Sequence, residues 1–118
     1  MGFFLQALWV GVFALTTAVA PNATSAQGGF PTRPITLVVP TAAGGPTDTV
    51  ARLIAESMSR TLGPTVVVEN VSGAGGTIGM ARVAKAAPDG YTIAVWHVGQ
   101  ATAPALYDGL KYDVVNDF

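Results

Sequence analysis

The chain has no cysteine, a single histidine and only 11% charged side chains. The missing cysteine excludes disulfide staples and thiolate metal sites, and His97 alone cannot build a histidine cluster. Six basic against seven acidic residues leave no basic patch, so the electrostatic footprint of a nucleic-acid binder is absent. No charged side chain occurs before Arg33. Within that uncharged stretch, Gly2 to Ala20 is apolar apart from Gln6, Thr16 and Thr17, and a small-residue site follows at Thr24-Ser25-Ala26. Residues 1–26 therefore read as an export signal peptide cleaved after Ala26, so that the mature chain starts at Gln27. The Lys/Arg-bearing start usual in such leaders is missing, and about 20 apolar residues are also long enough for an uncleaved membrane anchor. The leader inflates the 50% hydrophobic fraction, which is not a sign of a membrane domain.

Residues 27–118 suffice for one small domain and not for two. The run Ile35-Thr36-Leu37-Val38-Val39 is nearly continuously apolar and β-branched, the pattern of a strand buried on both faces. Pro40 ends it, and Pro46 and Thr47 open a helix with Val50, Leu53, Ile54, Met58 and Leu62 at helical spacing. The pairs Asp48/Arg52 and Arg52/Glu56 are spaced for contacts one turn apart, and Gly63-Pro64 supplies the stop. A second strand, Thr65 to Glu69, leads through Gly73–Gly76 to a second helix over Thr77 to Ala86. After the turn Pro88-Asp89-Gly90 come a third strand, Tyr91 to Val98, and a small-residue loop, Gly99 to Ala103. The order βαβαβ with right-handed crossovers predicts an α/β fold on a parallel sheet. Ligands in such sheets bind beyond the carboxyl ends of the strands. Three loops are expected there: Pro40–Thr47, Asn70–Gly76 and Gly99–Thr102. The tail from Lys111 to Phe118 carries no terminating signal, and three strands leave faces to be covered, so the chain reads as part of a longer polypeptide.

The loop PTAAGGPTD, Pro40 to Asp48, joins a buried strand to a helix through small residues that let backbone approach a ligand. Unsatisfied N–H groups at a positive helix end make a ready anion site. The competing reading is a tight turn in which the glycines only reverse the chain and Thr47 only caps the helix. Asp48 fits recognition of a ligand ammonium or an ordered water, but a structural carboxylate that favours the helix dipole is the preferred reading. The second loop, GAGGTIG, spaces Gly73, Gly75 and Gly79 as in some dinucleotide-binding turns, which keeps a nucleotide-binding Rossmann-type enzyme as the alternative. Such a turn normally follows the first strand of its unit and has an acidic residue about 20 positions on. Here it follows the second strand, and the nearest later acid, Asp89, lies in a turn. His97 has no visible catalytic partner, and no nucleophile elbow surrounds Ser57, Ser59 or Ser72. Trp96 and Tyr91 read as core packing.

RPITLVVPTAAGGPTDTVARLIA (Arg33 to Ala55), LGPTVVVENVSGAGGTIG (Leu62 to Gly79), APDGYT (Ala87 to Thr92) and PALYDGLKYDVVNDF (Pro104 to Phe118) together resemble the Bug family. These are the periplasmic substrate-binding receptors of tripartite tricarboxylate transporters. Four motifs in order are far more specific than one glycine loop, and they favour the anion cradle. The resemblance implies the first lobe of a two-lobed, type II-like periplasmic-binding-protein fold, with the second lobe absent from residues 27–118. It also implies a small organic acid ligand, a di- or tricarboxylate or a related compound, no catalysis and no cofactor. Membrane components of the transporter are the implied protein partner. Family members hold a ligand carboxylate with main-chain groups and bridging waters. The first set falls on Thr41, Ala42, Ala43, Gly44, Gly45, Thr47 and Asp48, and the second on Val98, Gly99, Gln100, Ala101 and Thr102. Val71 departs from the basic residue often found after the VVEN stretch, which removes a rim charge. As an isolated piece, residues 27–118 are expected to bind weakly or not at all.

Overall fold

A computed structural model describes residues 29–118, so the leader and its cleavage site lie outside the described residues. Strand β1 (Ile35–Val39) is followed by helix α1 (Pro46–Leu62), strand β2 (Val66–Asn70), a short 3₁₀ turn (Ala74–Gly76) and helix α2 (Thr77–Ala84). Strand β3 (Thr92–Ala94) and helix α3 (Gly99–Leu106) complete the order. The three strands form one parallel sheet in the order β2-β1-β3, with Val39 beside Asn70 and Val38 beside Ala94. As the central strand, β1 has the continuous apolar sequence required of a segment covered on both sides.

Chain order and sheet order together place the two crossover helices on opposite faces. From β1 the chain steps one way to β2, then back past β1 to β3, and right-handed crossovers put α1 and α2 on different sides. Side chains sort accordingly. Ile35, Leu37 and Val39 pack with Ala51 and Ala55 of α1, whereas Met80 and Val83 of α2 share a groove with Thr92, Ala94 and Trp96. The carboxyl ends of β1 and β3 therefore sit at the point where the winding reverses, the position at which open α/β sheets hold ligands.

Five sequence expectations change. The buried stripe of α1 is Asp48, Ala51 and Ala55, with Met58 and Leu62 packed at the core margin, while Val50 and Leu53 are 51% and 63% exposed. Alanine lets the helix lie close to the sheet, and the larger residues rotate outward. Strand β3 ends at Ala94 rather than Val98; the ladder continues only through the Val95 N–H to the Val38 carbonyl. Gly99 to Leu106 is a helix rather than a loop, with Pro104 inside it. Helix α2 is also shorter than read, its end marked by turn bonds from Lys85 and Ala86 to the carbonyls of Ala81 and Val83. Arg52 pairs with Asp48 as expected, but Glu56 pairs with Arg60.

Candidate functional site

Helix α1 starts without a side-chain cap. Its N-cap is Gly45, Pro46 at the first helical position brings no N–H, and the first ladder bond runs from Thr49 N–H to the Gly45 carbonyl. The N–H groups of Thr47 and Asp48 thus precede the ladder at the positive end of the helix dipole. Thr47 does not cap the helix, since it lies two residues inside. Among the described residues, the N–H groups of Ala42, Ala43 and Gly45 also meet no acceptor. Gly44 has φ +85°, a conformation that L side chains rarely adopt, and this reverses the chain between the strand and the helix.

Asp48 holds this loop from below. Its carboxylate is 2% exposed; Oδ2 accepts from Gly44 N–H at 2.8 Å and from Arg52 Nε at 2.9 Å, and Oδ1 accepts from Asn70 Nδ2 at 2.9 Å. Arg52, then the Gly44 N–H, then Asn70 stabilise the charged form and bring the Asp48 pKa down to about 2. Every oxygen is engaged within the protein. The side chain of Asp48 is consequently a support of the loop, in line with its structural reading and not with a contact to a ligand ammonium.

The same Asn70 amide donates to the Thr41 carbonyl at 3.1 Å, and Arg52 Nη2 donates to Asn70 Oδ1 at 3.2 Å. Asn70 was not among the residues singled out in the sequence. Its signal is an amide at the carboxyl end of β2, next to the loops expected at the binding edge. Thr41 Oγ1 is buried and has no hydrogen-bond partner among the described residues.

The second set forms the first turn of α3. His97 Nδ1 accepts the Gly99 N–H at 3.0 Å, and the His97 carbonyl accepts the Gln100 N–H at 3.0 Å. Thr102 N–H bonds the Val98 carbonyl at 3.2 Å, leaving the Val98 and Ala101 N–H groups as the uncommitted backbone donors among these residues. Val98 is exposed. Gln100 reaches the groove against α2, about 600 Å³ in volume, where its Oε1 is buried without a partner among the described residues. His97 also stacks on Trp96, ring centroids 3.9 Å apart, so the imidazole supports the turn of α3 rather than a nucleophile.

The glycine turn of the alternative reading is already filled by protein. A Cβ on Gly75 would meet Tyr107 Oη, and one on Gly76 would lie 2.4 Å from a ring carbon of Trp96. A Cβ on Gly79 would lie 2.7 Å from the Val71 carbonyl. These residues are small because side chains and backbone pack onto them, not because a pyrophosphate needs access. No dinucleotide cradle is left at this turn.

Comparison with known proteins identifies the family. Residues 50–118 match the family described as tripartite tricarboxylate transporter family receptor. The UPF0065 protein in the TAR-I ttuE-ttuC' intergenic region of Agrobacterium vitis is 55% identical over 104 residues, covering 88% of this chain and 30% of that relative. Among solved structures, the periplasmic binding protein BugD is 60% identical with a TM-score of 0.73, over 75% of this chain and 30% of BugD. MatC from Rhodopseudomonas palustris, solved with bound malate, is 53% identical with a TM-score of 0.72, over 75% of this chain and 31% of MatC. The chain thus spans about a third of the length of these relatives.

Proposed function

The chain belongs to the tripartite tricarboxylate transporter family of receptors, and on that premise we propose that it forms part of the first lobe of an exported receptor for a small organic acid. The observation that carries this reading is the uncapped start of α1, with the loop Thr41–Gly45 held open by a buried Asp48. A carboxylate seated there would take N–H donors of Ala42, Ala43, Gly45, Thr47 and Asp48, each charge-assisted bond contributing about 1.5–3 kcal/mol. The turn from Val98 to Thr102 lies beyond the neighbouring strand and would add the Ala101 N–H. Malate bound to MatC is a ligand of the proposed class. The role is capture without catalysis, followed by delivery to membrane components of the transporter.

Backbone donors read the carboxylate and leave the rest of the ligand to side chains. In this lobe those are few: Thr41, Gln100 and Trp96 are within the elements at the strand ends, and Arg52 is committed to Asp48 and Asn70. Discrimination among acids therefore falls largely to the remainder of a receptor as long as its relatives.

A protein carried to that length is expected to gain thermal stability from a panel of malate, other dicarboxylates, tricarboxylates and aromatic acids. At 100 times Kd the responding acid adds about 2.7 kcal/mol, a rise in midpoint of about 5 °C or more. No shift with any member of the panel would overturn the proposal. Residues 27–118 alone are expected to give no shift at millimolar malate, because half of a closing cleft is missing, and micromolar affinity of that piece would contradict this.

A further inference from the structure

Asn70 closes a hydrogen-bonded ring around the anion loop. Sheet register sets it beside Val39, the last residue of β1, and the Val71 N–H bond to the Val39 carbonyl at 2.9 Å fixes the backbone there. From that rigid position its Nδ2 reaches both the Thr41 carbonyl, at the start of the loop, and Asp48 Oδ1, at its end. Its Oδ1 takes Arg52 Nη2, and Arg52 Nε returns to Asp48 Oδ2, which in turn holds the Gly44 N–H. Two loop groups, the Thr41 carbonyl and the Gly44 N–H, are thereby turned inward.

We propose that Asn70 is the positioning residue of the anion site: by holding Thr41 and Asp48 together it keeps the remaining loop N–H groups directed outward before any ligand arrives. The inference rests on the reading of the loop as a carboxylate site. An amide is the side chain that can do this, because it supplies two N–H donors and an acceptor from one planar group. A carboxylate of the same shape loses both donors and faces Asp48 with like charge. Alanine cannot reach either partner. Ordering the loop in advance removes its conformational cost from the binding step, so loss of the ring appears in affinity.

The test uses Asn70→Ala and Asn70→Asp in a protein carried to the length of its relatives, with malate as the probe and amide hydrogen exchange as a readout that needs no ligand. In both variants the Gly44 amide is expected to exchange at least tenfold faster while the amides of β1 keep their protection. Malate is expected to bind at least tenfold more weakly. Gly44 protection that is unchanged, or that falls only together with the whole of β1, would overturn the proposal, as would wild-type affinity in Asn70→Ala. A wild-type protein that binds no carboxylate would sink the parent reading, and the exchange result would still decide whether Asn70 holds the loop.

Discussion

Gly76→Ala is expected to lower the thermal midpoint by about 6–12 °C in a protein of the relatives' length, the counterpart of about 3 kcal/mol. Two costs combine at this residue. Gly76 has φ +93°, a region where a Cβ is strained by about 1–2 kcal/mol. The added methyl would also lie 2.4–3.0 Å from three ring atoms of Trp96, and overpacking of this kind costs about 1–3 kcal/mol. Trp96 cannot turn away freely, because the His97 ring stacks on it and Gly99 also lies against its indole. Gly44→Ala is the control for the first cost alone: its φ is +85° and nothing lies within 4 Å of the added carbon. A drop of about 2–8 °C, smaller than that of Gly76→Ala, is expected there. Equal drops in the two variants, read by circular dichroism melting, would show that Trp96 yields without penalty.

The effect reaches beyond stability. Trp96 touches both the turn before α2 and the first turn of α3, so the elements that follow β2 and β3 are wedged apart by one indole. Moving it would shift the start of α3, including the Ala101 N–H. The glycine turn has a place in the site through this packing, and not through contact with a phosphate.

What could be read from the sequence followed from how completely each segment is covered. Strand β1 was legible to the residue because both of its faces are buried, so nearly every position from Ile35 to Val39 is apolar. Strand β3 has one unpaired edge and half-buried side chains, and its apolar residues run on past the end of the ladder. In α1 the large apolar residues gave the right period and the wrong face. The inward stripe Asp48, Ala51, Ala55 contains a carboxylate and two small residues, which a search for bulky side chains passes over. Helix α3 was missed because a glycine start and an internal proline are both signs against helix, and they hide the high helix propensity of Ala101, Ala103 and Ala105.

The site divides in the same way. Its backbone part was visible as Ala42-Ala43-Gly44-Gly45, since the absence of side chains is itself a pattern. Its supporting part was not, because Asp48, Arg52 and Asn70 meet only after the β1–β2 register is set. The i,i+4 spacing of Asp48 and Arg52 showed half of that cluster, and Asn70 comes from 22 residues further along the chain. Neighbouring motifs, rather than the loop alone, favour an anion cradle over a tight turn.

The buried carboxylate gives the last test, because its protonation has a definite sign. Asp48 titrates near 3.8 when free of its partners and at about 2 when held by Arg52, Gly44 and Asn70. A depressed folded-state pKa contributes stability that is fully present above the unfolded value and is lost as pH falls through the folded one. The contribution of Asp48 is thus complete above about pH 4 and fades between pH 4 and pH 2. Asp48→Asn cannot titrate and offers a donor where an acceptor is needed, so it is expected to be less stable than wild type at neutral pH. Urea midpoints of the two proteins should then converge as pH falls from about 4 to 2. Asp113, whose pKa is also lowered by the N–H of Val115 and by Asn116, is present in both proteins and cancels from the difference. A difference that stays constant across that interval would show that the folded state does not bind the Asp48 carboxylate in its charged form. The loop would then lose the acceptor that turns the Gly44 N–H inward.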